Sequence, residues 1–249
     1  MYVNEIKINN IKTIGLLKEE LVTILSLGKT SLLITFNLDF LRISYENEKF
    51  KEVCKNAKLV LADGIGVTLL LKLKYGKSIT RITGNDIFKL LLEIANDKKL
   101  KLALVGSSQK SLDMLRTKLQ KIFTNILLIT ISPPLLFETQ ETDNNEVIDE
   151  LKSFKPDILI AALGCPRQEL WLAENMKTIN ATINVGVGAA LDFYSGIKKR
   201  APVFLQKIGL EWLWRLVNEP KRLFRRYVIN DLPFFIKQYK EIKKMMINK

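Results

Sequence analysis

The stretch Lys58–Val67, KLVLADGIGV, decides how this chain folds. Its first half, Lys58–Ala62, is an apolar run without strict alternation of polar and apolar residues, the character of a strand buried on both faces of a sheet. Asp63 and Gly64 end that run, and a helix is expected to start there. The same unit recurs on either side. Ser31–Phe36 (SLLITF) precedes it, and Lys101–Val105 (KLALV), Ile126–Ile131 (ILLITI), Asp157–Ala161 (DILIA) and Thr182–Val187 (TINVGV) follow. Helical patterns lie between them. Asn85–Ala95 places Ile87, Leu90, Leu91 and Ile94 on one face, and Ser108–Ile122 opens on a serine cap and repeats Leu112, Leu115, Leu119 and Ile122. Alternating strands and helices predict an α/β fold, a Rossmann-like doubly wound and mostly parallel sheet.

Pro133-Pro134 and Glu138–Glu146 (ETQETDNNE) read as surface connections. The pattern changes at Pro202. Beyond it the chain turns helical, basic and aromatic, with a second break at Pro220. A boundary near Gly196–Pro202 therefore separates a Rossmann-like core, residues 1–196, from a basic C-terminal appendage, residues 197–249. The charge follows the same division. The whole chain of 249 residues carries 39 Lys+Arg against 26 Asp+Glu, and Lys198–Lys249 alone holds 14 of the former and 4 of the latter.

Composition narrows the function. At 47% hydrophobic the chain can bury a sizeable core, which excludes global disorder. Two cysteines, Cys54 and Cys165, do not make a disulfide scaffold and fit a reducing compartment. The absence of histidine removes Ser-His-Asp and Cys-His catalysis and every His-ligated metal site. The start, MYVNEIKINNIK, lacks a signal-peptide layout, and no apolar run approaches the roughly 20 residues that span a bilayer. A cytoplasmic protein that does not span a membrane is expected.

Ligands of open α/β sheets bind beyond the carboxyl ends of the strands. Five loops are candidates there: Thr35–Asp39, Ala62–Gly66, Gly106–Ser108, Gly164–Gln168 and Gly186–Ala189. Asp63 is the carboxylate of interest, either a general base within reach of a bound hydroxyl or an N-cap aspartate. Thr35 and Asn37 offer short polar side chains, or are simply turn residues. Arg81 could pair with Asp86 or face a phosphate. No Asp-x-Asp pair and no Walker-type phosphate loop occurs, and Gly186–Leu191 only partly matches a dinucleotide fingerprint. In the appendage, Leu205, Ile208, Trp212, Leu213 and Leu216 repeat at helical spacing, and Arg215 and Arg222 share a face if the helix survives Pro220. Aromatic rings interleaved with Lys and Arg suit an anionic bilayer surface; a helix pair packed on the core and a nucleic-acid surface are the other readings.

Together the motifs resemble the WecG/TagA/CpsF glycosyltransferases. The matching segments run from Thr35-Phe36-Asn37-Leu38-Asp39 through Ala62-Asp63-Gly64-Ile65-Gly66-Val67, Arg81–Asp86, Gly164–Glu169 and Gly186–Phe193 to Arg200-Ala201-Pro202, Gly209–Trp212 and Glu219–Leu223. The resemblance, closest to the TagA branch, implies an inverting enzyme that needs neither metal nor cofactor. It implies a UDP-sugar donor, UDP-N-acetylmannosamine or a relative such as the uronic acid, and a lipid-linked acceptor, undecaprenyl-diphosphate N-acetylglucosamine, in teichoic acid linkage-unit synthesis. On the same grounds Asp63 is the general base, Thr35, Asn37, Arg81 and Gln168 line the sugar and acceptor pocket, and Arg215, Arg222 and Arg225 reach the diphosphates. The expected partners are these substrates and an anionic membrane surface on the inner face of the cell membrane, not nucleic acid, with a homo-oligomer left open. A nucleotide-dependent oxidoreductase and a basic nucleic-acid binder are the competing classes.

Overall fold

The computed structural model describes residues 1–247. Eight strands occur among them: β1 (Tyr2–Val3), β2 (Ile6–Lys7), β3 (Ser31–Phe36), β4 (Leu59–Ala62), β5 (Lys101–Gly106), β6 (Leu127–Ile131), β7 (Ile158–Ala162) and β8 (Ile183–Gly186). The last six form one parallel sheet in the order β4-β3-β8-β7-β5-β6. Every strand expected from the sequence is present, with ends moved by a residue or so.

Successive side chains of a strand point to opposite faces, so a run that is apolar throughout must be covered on both. The packing follows that rule residue by residue. Leu32, Ile34 and Phe36 of β3 join Val60 and Ala62 of β4 in one core cluster, whereas Leu33 joins Leu59 and Leu61 in the other. Helices Leu38–Glu46, Glu48–Asn56, Ile65–Tyr75, Glu141–Phe154 and Arg167–Ile179 cover the first face, and Ile14–Leu27, Gly84–Lys98 and Gln109–Ile122 cover the second. This is the doubly wound arrangement. The antiparallel β1–β2 ribbon guards an edge: beyond it, Asn9 donates its N–H to the Val60 carbonyl at 2.8 Å and accepts from the Val60 N–H through its side chain at 3.0 Å, closing β4 to further pairing.

Two expectations need correction. Much of Glu138–Glu146 is not a connection: Phe137–Thr139 forms a 3-10 turn, and Glu141 opens a helix that runs to Phe154. Its first turn is polar, carrying Glu141 and Asp143 at the positive end of the helix dipole, and the face it buries begins only at Val147, Ile148 and Leu151. The apolar repeat Leu205–Leu216 is also not one helix. It breaks at Gly209, whose φ of +77° is left-handed, into Val203–Lys207 and Glu211–Asn218. The second helix stops before Glu219, and Pro220 starts the next, Pro220–Phe224, at the position where a missing N–H costs nothing. Arg215 and Arg222 therefore sit on different helices.

Beyond Phe224 the chain widens into a π-helix, Arg225–Asp231, and then runs as an α-helix from Leu232 to Ile247. The appendage is docked rather than free. Leu223 is fully buried, Ile242 belongs to the first core cluster, and Phe234 and Phe235 pack against it. The last helix lies along Ile65–Tyr75, the helix that begins beside Asp63.

Candidate active site

The strand order makes β4, β3 and β8 neighbours, so the loops after them converge. A cavity of about 390 Å³ opens there, walled on its outer side by the appendage. Its core lining includes Asn37, Asp63, Gly64, Arg81 and Val187, and its appendage lining includes Glu211, Trp212, Arg215, Arg226 and Tyr227. Of the five loops, those after β5 and β7 stay outside the lining. Ser108 caps the helix Gln109–Ile122, the Ser107 hydroxyl donates to Asp192, and the Gly164 N–H is taken by Gln168. These contacts hold the fold together rather than the cavity.

Asp63 sits half-buried at the end of β4, its own N–H donating to the Phe36 carbonyl at 2.8 Å. It is not a cap. Gly64, with a φ of +84°, occupies the cap position, and no side chain bonds the first turn of the following helix. The carboxyl is therefore uncommitted. Burial pushes it up to about 7, with Glu211 adding like charge, while Arg81 and Arg215 pull in the opposite direction. A carboxyl poised near neutrality can accept a proton without a large energetic mismatch.

Each neighbour has a local reason for its place. Asn37 caps the helix Leu38–Glu46, its side-chain oxygen accepting from the N–H groups of Asp39 at 3.0 Å and Phe40 at 3.2 Å, and it still borders the cavity. Gly66 allows the helix after Asp63 to press on Leu38: a Cβ at position 66 would lie 3.0 Å from its Cδ2. The Ile82 N–H donates to the Ala62 carbonyl at 2.9 Å, so the chain carrying Arg81 runs alongside the end of β4. Arg81 does not pair with Asp86. It donates to the Gln206 carbonyl at 2.8 Å, while Asp86 completes a capping box with Thr83. Arg215 lies over the Phe193 ring, its guanidinium carbon 5.6 Å from the centroid. Glu211, 3.6 Å from the Arg200 guanidinium, adds its carboxylate to those of Asp39, Asp63 and Asp231 in the lining.

The structure thus brings Asn37, Asp63, Arg81 and Arg215 together and leaves four expected residues outside the lining. Thr35 is buried in β3. Gln168 lies beneath the loops: its amide oxygen accepts from the N–H groups of Gly164 and Gly188, both at 3.2 Å, and its nitrogen donates to buried Glu169 at 2.6 Å. Arg222 is exposed and paired with Glu219 at 2.7 Å, which also holds Lys198 at 3.3 Å. Arg225 is exposed. Arg226 borders the cavity in its place, because the π-helix changes which side chains face inward after Arg225. Nothing in the sequence announces that turn. Glu211, Trp212 and Phe193 stand within the matching motifs, but spacing alone gives them no role.

A doubly wound sheet with a strand-end cavity that sets a free carboxylate among arginines is the arrangement of a Rossmann-like protein whose site suits group transfer. The chain belongs to the WecG/TagA/CpsF glycosyl transferase family, whose model matches residues 1–247. It is similar to proteins named N-acetylglucosaminyldiphosphoundecaprenol N-acetyl-beta-D-mannosaminyltransferase. The Bacillus spizizenii protein is 31% identical over 80% of this chain and 76% of its own, the Bacillus subtilis protein 29% over 76% and 72%, and a Staphylococcus aureus protein 26% over 85% and 80%.

Proposed function

We propose that this enzyme transfers N-acetylmannosamine from its UDP-linked form to the C4 hydroxyl of undecaprenyl-diphosphate-linked N-acetylglucosamine, with inversion and without a metal. The relatives' names support the sugar and the lipid acceptor. The uncapped Asp63 carboxyl in the strand-end cavity carries the mechanism. Asp63 takes the proton of the acceptor hydroxyl as its oxygen bonds to the anomeric carbon. The bond from that carbon to the departing UDP breaks on the opposite side, and one displacement inverts the centre. Arg81 and Arg215 border the same space and supply positive charge for the diphosphate as it leaves. In this reading Thr35 and Gln168 support the pocket from beneath, and Arg222 and Arg225 meet the lipid diphosphate from the rim.

The acceptor's lipid stays in a bilayer, so the enzyme works at an anionic membrane surface, on its cytoplasmic side. Among the described residues no helix is long and apolar enough to cross a membrane. The appendage instead exposes Phe204, Val217, Phe224, Ile229 and Ile236 among exposed basic residues including Lys221, Arg225, Lys237 and Lys240. Apolar side chains that enter the interface beside cations that meet its phosphates suit such docking.

The test is Asp63→Asn, assayed by UDP release and product mass against a polyprenyl-diphosphate N-acetylglucosamine analogue with a panel of UDP-sugars. Transfer should fall by about 10²–10⁴ while UDP still binds. Activity close to that of the unaltered enzyme would remove Asp63 as the base, and preference for another donor would reassign the sugar.

A further inference from the structure

A closed ring of four charges lies where the core meets the appendage. Asp39 accepts from Arg42 at 2.6 Å, Arg42 donates to Asp231 at 3.2 Å, and Arg226 stands 3.8 Å from Asp231 and 3.0 Å from Asp39. Asp39 and Arg42 come from the first helix after β3, Arg226 and Asp231 from the appendage. Both aspartates are 7% exposed in their side chains, so each needs its partners: a buried carboxylate stripped of its cation is strongly unfavourable.

The π-helix builds this ring. Arg226 and Asp231 are five residues apart. On an α-helix that spacing throws side chains to different sides, whereas i→i+5 bonding stacks them one turn above another. The Leu232 N–H donates to the Tyr227 carbonyl, five residues back, in keeping with that wide turn. Tyr227 and Val228 lie between the two ring residues, and both line the cavity. Asp39, Arg226 and Asp231 line it too, so the ring is itself part of the cavity wall and grips the chain on either side of Tyr227 and Val228.

We propose that Asp39, Arg42, Arg226 and Asp231 are positioning residues for the transfer reaction, pinning both ends of the wide turn so that Tyr227 and Val228 close the cavity over the substrates of Asp63. The proposal rests on the glycosyl-transfer reading for its activity arm only. It predicts that the ring acts as one unit, and that losing any member loosens the turn without disturbing the sheet.

The experiment combines hydrogen exchange and a double-mutant cycle on the full chain with Arg42→Gln, Asp231→Asn and the pair. Each single change should speed amide exchange within residues 225–231 by about tenfold, leave β3 and β4 protected, and lower kcat/KM about tenfold. The pair should lose no more than the worse single change, because contacting residues are not additive. Arg226→Lys serves if those variants fold poorly. It keeps the charge but replaces a rigid guanidinium, whose Nε faces both carboxylates, by an ammonium on a flexible stem, so it should melt near the unaltered protein and still loosen the turn. Multiplying losses in the pair, or unchanged exchange at 225–231, would overturn the proposal. An unaltered enzyme that transfers no sugar would instead refute the glycosyl-transfer reading, and the exchange data would still judge the ring.

Discussion

Gly209 rests on Ile65: a Cβ at position 209 would stand 2.5 Å from the Ile65 Cδ1. Ile65 opens the helix that starts just after Asp63 and Gly64, so the bend that separates two appendage helices is seated on the first turn beside the candidate base. The φ of +77° at Gly209 is one that side chains rarely adopt. Gly209→Ala should lift the appendage locally, lowering kcat by about tenfold while costing about 1 kcal/mol of stability, read by steady-state kinetics and urea unfolding.

The pH profile of transfer should rise through about 7, since Asp63 must be ionised to accept a proton and burial holds its carboxyl up at about 7. Two changes should move that rise in opposite directions. Glu211→Gln removes a like charge and shifts it toward acid; Arg215→Gln removes an opposite charge and shifts it toward base. Profiles that coincide for both variants would show that Asp63 is not the group being titrated.

Asp63→Asn should make the protein more stable at pH 8, not less. The folded chain keeps the Asp63 proton up to about pH 7, whereas the unfolded chain releases it near the ordinary value of 3.8. Between those limits the folded state binds the extra proton, so this group's contribution to stability falls as pH rises and its full penalty is present above 7. Asparagine escapes that penalty. Thermal melts should separate by about 2 °C or more at pH 8 and converge toward pH 4.

Arg215 borders the cavity and Arg225 does not. Arg215→Gln should therefore cost kcat/KM about a hundredfold, in the range seen when a charge-stabilising donor is lost. Arg225→Gln should act on liposome binding and on KM for the lipid acceptor, with kcat against a short soluble acceptor nearly unchanged.

Replacing Phe204 and Phe224 with Ser should weaken binding to anionic liposomes by about tenfold or more, because each ring loses apolar area that would enter the interface. Both are exposed, at 69% and 51%, so the melt should hardly move. Liposome binding that survives this pair would take the apolar side chains out of membrane docking.

The sheet was legible because a strand buried on both faces leaves a plain trace, as in Ser31–Phe36, all six of whose residues are buried. The helix after Thr83 was legible from its amphipathic face. Glu141–Phe154 was not, because its buried face begins only after a polar first turn. Asn37, Asp63, Arg81 and Arg215 could be chosen from strand ends and motif matches. The position of Arg226 could not, because a π-helix alters facing within a single turn and has no compositional signature. The part played by Gln168 beneath the loops was equally hidden. It depends on Gly186, where a Cβ would lie 2.4 Å from the Gln168 amide nitrogen, a contact between residues distant in sequence.

The sheet order has a practical consequence. The cavity lies beyond β4, β3 and β8, and β6 forms the sheet edge opposite β4. The turn after β6 carries Leu135, 84% exposed and outside the cavity lining. A fluorophore, affinity tag or surface tether attached there would leave both the chemistry and the basic appendage untouched. The molecule thus offers a handle by which it can be immobilised or tracked while it works.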